Sequence, residues 1–172
     1  MYISNLKLWN FRKYGSLNFD IESPDLIVPF NRNMNILIGE NDSGKSAIID
    51  AIKLVLRTHA YEWIKVEESD FFSDGNKVSE KLRIEIEFSG ITNQGAAHFT
   101  EWCGVQDEEI IDQGEKIILS RPKLILIYQV QFKDGKVIPT DVRAGMDGHG
   151  NTLTAEAREY LKCTYLKALR DA

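Results

Sequence analysis

Disulfide-forming capacity is nearly absent from this sequence: its 172 residues hold only two cysteines, Cys103 and Cys163, sixty positions apart. A chain of this length buries roughly two thirds of its unfolded surface and needs no covalent staples. The expectation is therefore two free, buried thiols in a reducing compartment. Histidine is as scarce: His59, His98 and His149 stand alone, none in a metal-type spacing with a cysteine. Proline is rare, and no repeat or low-complexity tract is present. No run approaches the ~18 apolar residues of a membrane span. The opening "MYISNLKLWNF" lacks the long apolar core of a signal peptide. These absences give an expectation of a cytoplasmic protein with no membrane partner. An excess of basic charge is missing too. The net charge is −5, which argues against a generally basic nucleic-acid surface without excluding a local patch.

What is present is ordinary globular composition, 43% hydrophobic and 27% charged, enough for one domain spanning 1–172. Residues 2–9 read as a strand, "NFRKYG" (10–15) as a turn and Leu17–Ile21 as a second strand. "NMNILI" (33–38) reads as a short apolar strand. From Ser46 to Leu56, Ile48, Ile49, Ile52, Val55 and Leu56 follow helical spacing. "KLRIEIEF" (81–88) alternates as a half-buried strand does. Residues 93–103 suggest a short helix, and 116–120 and 123–132 two strands. "KDGK" (133–136) is a hairpin turn leading to "VIPT". Tight turns and alternation here indicate an antiparallel segment rather than repeated βαβ units. "RAGMDGHGNT" (143–152) is a glycine-rich loop, and the last residues read as a helix followed by a short strand at 164–166.

Chemistry concentrates in Gly39-Glu40-Asn41-Asp42-Ser43-Gly44-Lys45-Ser46, which matches G-x-x-x-x-G-K-[ST]. Each fixed position has a reason. The glycines let successive N–H groups converge on a phosphate. The following helix adds its positive end. Lys45 supplies a point charge for β and γ phosphates, and the Ser46 hydroxyl a coordination position on Mg²⁺. An apolar run before the loop and an amphipathic helix after it supply the required context. The expected ligand is ATP with Mg²⁺.

Hydrolysis needs more: an acid at the end of an apolar strand, and a group that orients water. "LILIY" ends in Gln129, Asp50 lies inside the helix, and Asp112 follows only two apolar residues. "DGHG" (147–150) imitates the D-x-x-G of GTPases, but no N-K-x-D follows, since "NKVS" (76–79) fails at its last position. Either the domain only binds nucleotide, or it is one part of a split ATPase.

"MYISNLKLWNFRKYGSLNFDI" followed by "NMNILIGENDSGKSAIIDAIKLVL" resembles the N-terminal segment of SMC- and RecF-like ABC ATPases. Within that group, "ESDFF" (68–72), "LRIEIEFSGIT" (82–92) and "REYLKCTYLKALRDA" (158–172) resemble the OLD (overcoming lysogenization defect) ATP-dependent endonucleases. The resemblance implies an α/β P-loop NTPase fold: an ABC/SMC-like N-terminal lobe with a mixed sheet and an antiparallel β segment. In that family a helical insertion, a second lobe with the signature motif and Walker B acid, and a TOPRIM nuclease follow. It implies a parent ATPase and endonuclease acting on DNA as a homodimer, with this lobe inactive alone. Two further positions carry over. Asp70 stands where ABC ATPases use a glutamine that touches Mg²⁺ and the water, and a turn cap is its other reading. Arg12 or Lys13 stands where SMC-like proteins contact base or ribose, and a solvated charged turn is the other reading. Rivals from different classes are a small P-loop kinase or transferase and a non-catalytic nucleotide-binding interaction module. Arg57, Arg83, Arg121, Arg143 and Arg158 are too scattered for a kinase lid, and intact Lys45 and Ser46 argue against decay. The apolar C-terminal segment is expected either to fold back on the sheet or to pair with a second copy.

Overall fold

The computed structural model describes residues 1–58, 64–112 and 115–166. His59 and the segment 167–172 lie outside the described residues. The element order is β1 (Tyr2–Trp9), β2 (Leu26–Pro29), α1 (Lys45–Leu56), β3 (Lys81–Ser89), α2 (Asn93–Ala96), β4 (Gly104–Asp112), β5 (Glu115–Lys133), β6 (Lys136–Ile138), β7 (Arg143–Ala144), β8 (Asn151–Thr152) and α3 (Ala155–Leu161). One sheet has the order β2-β1-β3-β5-β7-β8, with β4 and β6 also paired to β5. The class is α/β with an antiparallel sheet. Every ladder between these strands is antiparallel, and the parallel pairing among the described residues is an isolated Thr58–Cys163 bridge.

Strand β3 shows why the sheet holds. Its alternation puts Leu82, Ile84, Ile86 and Phe88 on one face, and all four are buried. They join Leu6 and Leu8 of β1 and Leu124, Leu126, Tyr128 and Val130 of β5. Helix α1 lies on this face, burying Ala47, Ile48, Ala51, Leu54 and Val55, which recur at helical spacing. Each fully buried large apolar side chain contributes about 1.5–3 kcal/mol, so α1 and the glycine loop ahead of it are anchored through the sheet.

The other face of β3 is charged and also buried, contrary to the half-buried strand expected. Glu87 accepts from Lys7 at 2.6 Å and from Lys123 at 2.9 Å. Burial pushes its carboxyl pKa up, but the two ammonium groups outweigh this and hold it below the usual value. Arg83 pairs with Glu85 and donates to Gln129 (3.2 Å) and to the Gly148 carbonyl (2.7 Å), pinning the glycine-rich loop over the sheet.

Several expected elements differ. Leu17–Ile21 is irregular; Leu17 has a left-handed φ of 62°, and the strand beside β1 comes later as β2. Residues 33–38 form no ladder with the described strands. The two strands expected at 116–120 and 123–132 are one, β5, continuous through Pro122, and a further strand, β4, pairs with it. The region 143–152 contains the short β7–β8 pair. No strand forms at 164–166; instead Leu161 is buried in the core and the Lys53 ammonium lies 4.0 Å from the Tyr165 ring centroid. Both cysteines are half-buried rather than buried, with burial raising each thiol pKa. No described helix is long and apolar enough to cross a membrane.

Candidate functional site

The glycine loop projects from the N-terminal end of α1, and residues 39–43 are exposed. Two left-handed residues shape it, Asp42 (φ 64°) and Gly44 (φ 96°). Alternation of ordinary and left-handed backbone turns successive N–H groups toward one concavity, the geometry that binds an anion. The Ser43 N–H donates to the Glu40 carbonyl at 3.2 Å, closing the loop. A side chain at Gly39 would lie 2.7 Å from Ser43 Oγ. Glycine at 44 is needed twice over: for its φ, and because a Cβ there would lie 2.1 Å from Tyr14 Oη.

Lys45 folds back into this loop. Its ammonium donates to the Gly39 carbonyl (2.7 Å), to the Glu40 carbonyl and to Ser43 Oγ (3.0 Å). The charge therefore sits within the loop, where a phosphate would meet it, and a ligand has to compete with these acceptors. Ser46 follows on the first turn of α1. The cradle, its cation and its hydroxyl fit a nucleotide phosphate with Mg²⁺. Among the described residues no group of three His, Cys, Asp or Glu side chains could hold a metal ion alone.

The other candidates are placed as follows. Lys13 joins the loop, its ammonium donating to the Asp42 carbonyl at 2.7 Å. Arg12 points elsewhere. Its Nη1 donates to Asp50 of α1 at 2.7 Å and its Nε to Asp70 at 2.9 Å. Burial lowers the guanidinium pKa, but the hydrogen bonds and charges of the two carboxylates outweigh it and leave the pKa raised. Asp70 is buried, and both its oxygens are engaged: one by Arg12, the other by the Glu67 N–H at 3.0 Å. Those contacts are those of an ion pair and a turn cap. Asp147, from the D-x-x-G look-alike, caps its own turn by accepting from the His149 and Gly150 N–H groups.

Sequence reasoning missed two residues at this site. Tyr14 Oη donates to the Ser43 carbonyl at 3.2 Å. Asp50, a candidate hydrolytic acid in the sequence, lies one helical turn past Ser46 and faces Arg12. Its partner lies 38 residues away, so no local spacing signals the pair. Asn10 (φ 50°) and Arg12 (φ 52°) are also left-handed. Such backbone costs about 1–3 kcal/mol per residue and collects at functional sites.

A family model described as AAA ATPase domain (AAA_15) matches residues 1–167. The chromosome partition protein Smc of Fusobacterium nucleatum subsp. nucleatum is 30% identical over 88 residues, 50% of this chain and 7% of that protein. The DNA replication and repair protein RecF of Francisella tularensis subsp. novicida is 34% identical over 61 residues, 36% of this chain and 15% of RecF. The chain thus spans only a small part of these relatives. Two solved structures share the fold. One comes from work on ATP-driven dimerization and DNA stimulated activation of SMC ATPases; its TM-score is 0.52 at 20% identity, covering 94% of this chain and 75% of that one. The other is an SmcHead bound to the C-winged helix domain of ScpA, with TM-score 0.51 at 21% identity, covering 94% and 39%. The chain belongs to the AAA ATPase domain family, with the fold of an SMC ATPase head.

Proposed function

We propose that this chain is the P-loop lobe of a split ABC-type ATPase of the OLD kind, binding ATP with Mg²⁺ through Gly39–Ser46. The observation that carries the split is the segment just before the loop. Met34, Ile36 and Ile38 are 80%, 71% and 90% exposed, while Leu37 between them packs on the core. Alternation of that kind belongs to a strand, and three neighbouring apolar side chains in water ask for a covering partner. Strands that feed phosphate loops normally lie in parallel sheets buried on both faces. A second lobe that adds such strands would cover these residues and bring the missing acid.

On nucleotide binding, Lys45 exchanges the Gly39 and Glu40 carbonyls for phosphate oxygens. The loop N–H groups would hold the phosphates, and Ser46 would offer its hydroxyl to Mg²⁺. Bound Mg²⁺ would neutralise developing phosphate charge. In the longer protein, closure of two such lobes around ATP would control processing of DNA by an attached nuclease. The similarity to SMC and RecF sequences supports that direction, and the OLD-like stretches 68–72, 82–92 and 158–172 favour its specific form.

The test compares this chain with a protein that continues into the second lobe and nuclease. The longer protein is expected to hydrolyse ATP and cut DNA, and Lys45→Ala to abolish both. A longer protein whose nuclease activity ignores ATP and Lys45 would refute the reading.

A further inference from the structure

The turn at 10–15 reaches the glycine loop at residues 42–44, helix α1 at Asp50 and the 67–70 turn at Asp70. Three consecutive side chains grip three different segments: Arg12 holds Asp50 of α1 and Asp70 of the 67–70 turn, Lys13 holds the Asp42 carbonyl, and Tyr14 holds the Ser43 carbonyl. The Tyr14 ring and the Lys13 stem also lie against Gly44. The turn itself is fixed from outside. The Asn10 N–H donates to Asp25 at 2.8 Å, the Arg12 N–H to the Asp70 carbonyl at 2.7 Å, and the Phe72 N–H to the Asn10 carbonyl at 2.9 Å. The left-handed conformation at Arg12 lets its backbone and its side chain both reach Asp70.

We propose that Arg12 and Tyr14 are positioning residues: with Lys13 they form a clamp that sets the shape of the phosphate loop before nucleotide arrives. This rests on the reading that Gly39–Ser46 binds ATP. It assigns Arg12 away from base or ribose, because the two carboxylates already hold its Nε and Nη1. It adds Tyr14 and Asp50 to the site. Asp50 and Ser46 share a face of α1, so the Arg12–Asp50 pair fixes the helix turn that carries the Ser46 hydroxyl. A planar guanidinium suits two carboxylates at once, which a lysine ammonium on a flexible stem does not.

The experiment uses this chain and Mg-ATP as the probe. Affinity, melting temperature and amide hydrogen exchange without nucleotide are measured for wild type, Tyr14→Phe, Arg12→Lys, Asp50→Asn and the double variant Arg12→Lys/Asp50→Asn. Tyr14→Phe keeps the ring on Gly44 and removes one hydrogen bond. It is expected to weaken Mg-ATP by about fivefold, the worth of one such bond, and to speed exchange within residues 40–46 while the melting temperature stays put. Arg12→Lys and Asp50→Asn should each do the same, with the double variant no worse than either single one. A guanidinium that touches nucleotide directly gives the opposite pattern: Asp50→Asn frees it and leaves affinity equal or tighter, while Arg12→Lys weakens binding. That result overturns the proposal. So does exchange that rises everywhere together with a fall in melting temperature. Failure of wild type to bind Mg-ATP would instead sink the nucleotide reading, and the exchange data without ligand would still decide the clamp.

Discussion

Replacing Gly44 with alanine imposes two separable costs on the phosphate loop. The first is backbone. At φ 96° an alanine sits in a region L residues avoid, at a cost of roughly 1–2 kcal/mol. The second is contact. The new methyl would stand 2.1 Å from Tyr14 Oη, 2.7 Å from Tyr14 Cζ and 3.0 Å from Lys13 Cδ. Tyr14 is only half-buried and can swing away, so the main loss is its hydrogen bond to the Ser43 carbonyl, about 1 kcal/mol. Together these come to about 2–3 kcal/mol, or a loss of ATP affinity of roughly 30- to 150-fold if all of it falls on the binding-competent loop. Calorimetric titration of Mg-ATP reads this directly, and urea denaturation shows how much falls on folding instead. In a Tyr14→Ala background the contact cost is already gone. The Gly44→Ala effect there should shrink by about 1 kcal/mol, leaving the backbone part. Wild-type affinity within twofold for Gly44→Ala, or an undiminished effect in the Tyr14→Ala background, would refute this reasoning.

The depressed Glu87 pKa carries a pH dependence. A carboxylate held below its usual value stabilises the fold above the unfolded pKa, about 4.3, and loses that contribution as pH falls through the folded value. Urea denaturation of wild type and Glu87→Gln should show a wild-type advantage at pH 7 that shrinks as pH falls below the ordinary carboxylate range; a constant difference would contradict it. Ile36→Thr in this chain should change stability by less than about 0.5 kcal/mol, since Ile36 is 71% exposed. In a protein carrying the second lobe the same change should cost about 1 kcal/mol or more, because there the side chain is covered. The 172-residue chain alone should show no steady-state turnover near 1 s⁻¹. Turnover at that rate, abolished by Lys45→Ala, would mean that a catalytic acid is present in it.

Local signals carried what the sequence could tell. The glycine turn into α1, α1 itself, β1, β3 and the 133–136 turn were legible because each is written in adjacent residues: fixed glycines, helical spacing, alternation, and an Asp-Gly turn. The misses are non-local. Residues 33–38 have strand composition, yet no described strand pairs with them. Strand β4 is too acidic, at "QDEEIID", to look like a strand, and exists through its register with β5. Between the two strands expected at 116–120 and 123–132, Pro122 sits inside one continuous strand, tolerated because β4 is the sole described partner of that half. Strand β2 is a four-residue edge ending in Pro29, which no periodicity would reveal. Around the glycine loop, the Arg12–Asp50 and Arg12–Asp70 pairs were not readable. Those join positions 38 and 58 residues apart, and only folding brings them together.

The central claim is that Gly39–Ser46 is a working nucleotide cradle whose charge comes from Lys45. Titrating Mg-ATP into the wild-type chain and into Lys45→Ala by calorimetry addresses it most directly. A charge-assisted contact is worth about 1.5–3 kcal/mol, so the variant should bind at least about tenfold more weakly. Measurable wild-type binding with that loss is the expected result. Equal affinity in the two proteins, or no binding to wild type at millimolar ATP, would contradict it.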